Sequence, residues 1–356
     1  SDFFEHGGDS LKALELCCEL QRSLGVTFPA HAIFHHSTVR QLGQLIVQHH
    51  SSQLLSFFPP HPGRPQILFT HGIVGGVEVY AELSRELATG WNCHGLATSN
   101  KVLESHRDLS RLVAEYLVEL QLQSSELPYV VAGLSGGGLV ALELATQLHR
   151  QGLATPTVVL LDSYPPGSWR SFQKLPLLQR MMVKLDNLLC SFPTLMGFPT
   201  SRQRWAYLHE ILYSQLPGLF DFGQRLKRGE WKSAWSRLRL QGDERTPAHL
   251  LGGGVTDKVL EMLSRHQLQT VYPGRVIFYR SVLRPGHTLP DVTEEWRRWL
   301  PYLEEVPLAA PHGSGMVSFP MSELLAADLR RRLGPGTAPD KEGVRNAPEE
   351  SPGLVA

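Results

Sequence analysis

Gly133-Leu134-Ser135-Gly136-Gly137 fits G-x-S-x-G, the pattern that sets a serine on a turn too tight for side chains on either side of it. A serine so placed can act as a nucleophile. Its hydroxyl is weak at neutral pH and needs a base, normally a histidine oriented by a carboxylate. Asp162 and His312 follow it in the order Ser, Asp, His, one of the chain orders in which such groups occur. Asp162 closes the apolar run Thr157-Val158-Val159-Leu160-Leu161, and His312 stands in Pro311-His312-Gly313-Ser314-Gly315, where glycines permit a close approach. The rivals are Asp291 as the acid and His287 as the base. The non-catalytic readings are a helix cap or turn for Asp162 and a solvated loop for His312.

Acyl transfer also needs two backbone N–H groups for the oxyanion that develops on the carbonyl. The spacing offers Gly136, next after the serine, and Ile73 in His71-Gly72-Ile73-Val74-Gly75-Gly76. A plain strand-to-helix turn would use the same glycines. His71 reads as a packing or hydrogen-bonding residue. A second serine, Ser10, follows Gly7-Gly8-Asp9 at the start of a helical pattern. By itself it is an N-cap, yet its hydroxyl would lie at the positive end of a helix, a favourable place for a phosphodiester.

These groups need elements to hold them. Tyr129-Val130-Val131-Ala132 reads as a buried strand before the serine, and Leu139 to Leu148 as a helix after it. The strand patterns 66–69, 93–97, 157–161, 275–279 and 305–308 alternate with helical patterns at 77–88 and 109–122 and a closing helix at 322–333, which argues a parallel sheet. Ser135, Asp162 and His312 would then all leave the same sheet edge, where ligands bind in open α/β folds. From 166 to 265 the alternation gives way to a helical insertion expected to form a lid. Residues 1–52 read as short helices, 53–63 as a Pro-rich linker, 64–333 as the main domain and 334–356 as a disordered tail.

At 356 residues and 42% apolar, the chain can bury one large core or two smaller ones. Lys+Arg and Asp+Glu balance at 34 each, which gives no electrostatic case for nucleic acid or an anionic membrane. No histidine shows metal-ligand spacing, so no metal is expected. Four cysteines, two of them adjacent, suggest no disulfide framework and fit a reducing, cytoplasmic setting. No run is long and apolar enough to span a bilayer. The opening at Ser1 reads as part of something longer.

The stretch Asp2-Phe3-Phe4-Glu5-His6-Gly7-Gly8-Asp9-Ser10-Leu11 resembles the attachment site of acyl and peptidyl carrier domains. That resemblance makes Ser10 the residue carrying 4′-phosphopantetheine, on a partial carrier domain that lacks its first helix. Residues from about 64 to 333 resemble the type I thioesterase domain that ends nonribosomal peptide and polyketide synthetases. The match rests on Gly133-Leu134-Ser135-Gly136-Gly137, Leu161-Asp162-Ser163-Tyr164 and His312-Gly313. It implies an α/β-hydrolase fold with a mostly parallel sheet and a helical lid, after an all-α carrier segment. It favours Asp162 over Asp291. The implied activity is release of an acyl or peptidyl thioester by way of Ser135, with upstream synthetase modules as partners. A discrete serine esterase and a non-catalytic docking module are the alternatives.

Overall fold

The structure of the protein, a computed structural model, describes residues 54–106, 108–123, 129–168, 176–215, 254–283 and 292–334, with scattered positions between 2 and 43. Ser10, His287 and Asp291 lie outside the described residues. Seven strands form one sheet: β1 (Leu54–Ser56), β2 (Gln66–Thr70), β3 (Asn92–Leu96), β4 (Val130–Leu134), β5 (Thr157–Leu161), β6 (Val276–Ser281) and β7 (Leu303–Leu308). Their spatial order is β1-β3-β2-β4-β5-β6-β7. β1 pairs antiparallel with β3, and every other neighbouring pair is parallel.

The sequence shows why β4 and β5 stand at the centre. Parallel strands covered on both faces carry near-continuous apolar runs, and Val130–Leu134 is buried at every position. Alternate side chains feed two cores. Ile67, Phe69, Val130, Ala132, Val159, Leu161, Ile277 and Tyr279 point to one face, with α1 (Ala81–Leu87) and, near the C-terminus, Met321–Leu333. Leu68, Val131, Val158, Leu160, Val276 and Phe278 point to the other. There they meet α3 (Leu109–Gln123) and α4 (Gly137–Arg150), which follow α2 (Asn100–Ser105).

Two expectations are corrected. The stretch 53–63, read as a linker, instead supplies the edge strand β1, and Phe57 beside it is buried in the first core. The lid expected over 166–265 is helical where described: α5 (Leu177–Gly197), α6 (Ser201–Gln215) and α7 (Gly254–Arg265). However, α7 is not a detached cap. Its Val255, Val259, Met262 and Leu263 are buried in the second core. The remaining helices are α8 (Val292–Arg297) and α9 (Met321–Leu333). Near the N-terminus, Ala13, Ile33 and Leu42 form a small apolar cluster against which Phe3, Phe4, Leu16 and Leu20 pack. No helix among the described residues is long and apolar enough to cross a membrane.

Candidate active site

The turn after β4 is tight because its glycines lie against backbone and a buried side chain. A Cβ on Gly133 would lie 2.2 Å from the Gly137 carbonyl group, and one on Gly138 would lie 2.0 Å from Ser163 Oγ. Any larger residue would push α4 off the strand. Ser135 sits on this turn at φ 53°, and Asp162 leaves the next strand at φ 45°. Among the described residues these are the non-glycine positions with positive φ, a conformation that costs energy and clusters at functional sites. Each is held by a hydrogen bond to the strand beyond it: Ser135 N–H donates to Leu161 O and Asp162 N–H to Tyr279 O, both at 2.8 Å.

Tyr80 braces the turn from below. Its hydroxyl donates to Thr70 O at 3.0 Å and accepts the Leu134 N–H at 2.7 Å. Thr70 Oγ1 donates to Gly137 O at 2.7 Å. The serine turn and the end of β2 are therefore one hydrogen-bonded unit.

Asp162 and His312, 150 residues apart in sequence, meet at the same edge. His312 Nδ1 donates to Asp162 Oδ2 at 2.6 Å, and Ser281 N–H donates to Asp162 Oδ1 at 2.9 Å. The carboxylate is thus satisfied on both oxygens while its side chain is only 7% exposed; the histidine side chain is 44% exposed. A carboxylate partner at Nδ1 fixes the proton there and leaves Nε2 as the basic nitrogen. The Tyr164 ring lies 5.7 Å from the imidazole, and burial followed by the Asp162 charge raises its hydroxyl pKa. Among the described residues, Ser135 Oγ and His312 Nε2 make no hydrogen bond to each other, and such contacts commonly tighten only when substrate binds.

The loop carrying His312 is tied down from two sides. Ser281 Oγ donates to Ala310 O at 2.6 Å, and the Tyr207 hydroxyl on α6 donates to Ala309 O at 2.5 Å. Sequence reasoning did not single out Ser281 or Tyr207. Their only signal is position, at a strand end and on an insertion helix.

Ile73 and Gly136 are neighbours: a Cβ on Gly136 would lie 3.2 Å from Ile73 Cγ2. Among the described residues neither N–H is committed to a loop or turn carbonyl, whereas those of Ser135 and Gly138 are. α7 closes over this corner, with Leu263 Cδ1 2.6 Å from the same point and Val255 against Gly75. His71 is fully buried and uses both ring nitrogens. Nδ1–H donates to Gly72 O and Nε2 accepts from the Tyr116 hydroxyl, each at 2.9 Å. Burial holds its pKa down to about 4, so it is neutral and has no nitrogen left for a substrate.

Two family models match the chain. The model for the thioesterase domain covers residues 65–204, and that for the phosphopantetheine attachment site covers residues 1–46. The chain is similar to a dimodular nonribosomal peptide synthase of Bacillus subtilis, 29% identical over 46% of this chain and 7% of the relative. It is also similar to enterobactin synthase component F of Escherichia coli K12, 29% identical over 47% of this chain and 13% of that protein. It therefore spans a small part of the length of these relatives. In fold it resembles a crystal structure of a four-domain nonribosomal peptide synthetase bound to AMP and glycine. There the TM-score is 0.52 at 19% identity, over 94% of this chain and 24% of that one. The chain thus carries a phosphopantetheine attachment segment followed by a thioesterase domain of the α/β-hydrolase fold, similar to parts of the nonribosomal peptide and polyketide synthetases.

Proposed function

We propose that Ser135, His312 and Asp162 act as nucleophile, base and orienting acid in chain release from an acyl or peptidyl thioester. The observation that carries this reading is the 2.6 Å hydrogen bond from His312 to Asp162 at the sheet edge where Ser135 stands on its strained turn.

His312 Nε2 accepts the Ser135 proton as Ser135 Oγ attacks the thioester carbonyl carbon. The Ile73 and Gly136 N–H groups receive the oxyanion that develops there. When the C–S bond breaks, His312 returns the proton to the departing sulfur, leaving the acyl group as an ester on Ser135. Water, or a nucleophile within the acyl chain, then gives its proton to His312 and attacks the ester carbonyl, and His312 passes that proton to Ser135 Oγ as the acyl C–O bond breaks. The imidazolium that forms in each half is stabilised by the buried Asp162 carboxylate, which stays ionised.

In this reading Ser10 would hold the phosphopantetheine arm, whose thiol keeps the acyl chain as an activated thioester. Ser10 lies outside the described residues, so the steps above use only groups of the thioesterase domain. The test is intact-mass measurement after exposure to a pool of acyl-pantetheine thioesters. The wild type is expected to gain an acyl mass that Ser135→Ala does not. Equal adducts on both would overturn the assignment. A preference for simple esters over acyl-pantetheine would favour a discrete esterase instead.

A further inference from the structure

Among the described residues, one face of α5 is left open. Leu178, Met182, Leu185, Leu189, Phe192 and Met196 follow one another at alternating intervals of four and three residues, and each is between 52% and 72% exposed. At 100° per residue they fall within an arc of about 80°. The opposite side of the helix is the one that meets the body. There Asn187 and Ser191 are buried, and Leu188 and Leu195 pack against the core. So α5 carries an apolar seam besides the side that packs on the core, and among the described residues nothing covers that seam. A narrow seam in four–three alternation is the pattern that receives another helix by knobs-into-holes packing. No charged residue stands on it.

We propose that this seam pairs with α5 of a second copy of the chain, antiparallel, about a two-fold axis passing between Leu185 and Leu189. The seam is self-complementary about that point. Leu178 falls opposite Met196, Met182 opposite Phe192, and Leu185 opposite Leu189, so all six side chains meet an apolar partner, as an isologous contact requires. Weighted by their exposures, the six side chains and the adjacent Met181 present roughly 800 Å² of apolar surface per copy. A contact that buried it fully would match a standard specific interface, and the patch is larger than a monomer usually leaves open.

Sedimentation equilibrium of the full chain is expected to give twice the chain mass of 39.7 kDa. Leu185→Glu with Leu189→Glu is expected to return it to the single-chain mass with an unchanged circular dichroism spectrum. Should those glutamates unfold the chain, Leu189→Ala with Phe192→Ala is expected to weaken the dimer at least tenfold. Orientation is read with Leu178→Cys and Met196→Cys, each on a Cys190→Ser background. Mixed and oxidised, they should crosslink between chains, while Leu178→Cys alone should not, because antiparallel copies of residue 178 stand about 27 Å apart. A wild type monomeric at every concentration would overturn the proposal. So would a dimer that survives both double substitutions, or a crosslink from Leu178→Cys alone.

Discussion

Ser281 holds Asp162 by the backbone and the histidine loop by the side chain: its N–H donates to Asp162 Oδ1 at 2.9 Å while its Oγ donates to Ala310 O at 2.6 Å, two residues before His312. The last residue of β6 thereby ties Asp162 to the loop that carries His312. Ser281→Ala keeps the first bond and loses the second. A hydrogen bond of this kind contributes about 1 kcal/mol, so kcat for thioester turnover is expected to fall roughly three- to tenfold with KM little changed. Ser281→Thr, which keeps the hydroxyl, should recover most of the loss. A fall in KM-dependent binding alone would contradict this positioning role.

On the proposed mechanism, Asp162→Asn preserves shape but removes the charge that would stabilise the imidazolium and fix the proton on Nδ1. Steady-state kinetics should show kcat reduced by about 10³- to 10⁴-fold, as for the same change in other Ser-His-Asp sites. The variant should remain folded, since Asn can still accept the Ser281 N–H.

Burial of His71 links stability to pH. Its pKa is held down to about 4 in the folded chain against an ordinary value of 6.5, so between those values the unfolded chain binds the extra proton. Stability is therefore full above pH 6.5 and is lost as pH falls toward 4, by up to about 3 kcal/mol from this residue. Urea unfolding at pH 7 and pH 4.5 should show the difference. His71→Gln, compared with the wild type, should have a smaller gap between the two pH values.

Gly133→Ala would place a methyl group 2.2 Å from the Gly137 backbone, with no flexible side chain to yield. Overpacking against rigid backbone at this point is expected to cost about 3 kcal/mol or more. Thermal unfolding should register a fall of several degrees, or the variant should fail to accumulate as folded protein. Gly90→Ala, where nothing lies within 4 Å, is the matched control and should change little.

The groups at the sheet edge could be read from the chain because their elements announce themselves. Apolar β-branched runs end at Ser135 and Asp162, and glycines surround His312. Those are side-chain signals at strand ends. Ser281 carries no such signal, because what it gives Asp162 is a backbone N–H that any residue but proline would offer. β1 was hidden by the prolines around it and by its three-residue length, since an edge strand needs only one partner. Chain order alone places α7 in the lid. Its apolar spacing at 255, 259, 262 and 263 was the mark of a core-facing helix. Ser10, His287 and Asp291 lie outside the described residues, so their places in the reading rest on sequence.

The antiparallel strand β1 also shortens a leash. The phosphopantetheine attachment match ends at residue 46 and β1 begins at Leu54, which leaves seven residues between the matched segment and the edge of the sheet. Fully stretched, seven residues span at most about 25 Å. Had 53–63 been free as well, the reach would have exceeded twice that distance. If Ser10 carries the arm as proposed, so short a connection would raise the effective concentration of its acyl group beside the thioesterase domain. On the proposed reading, pairing of β1 with β3 sets where the attachment segment is anchored, three strands from Ser135.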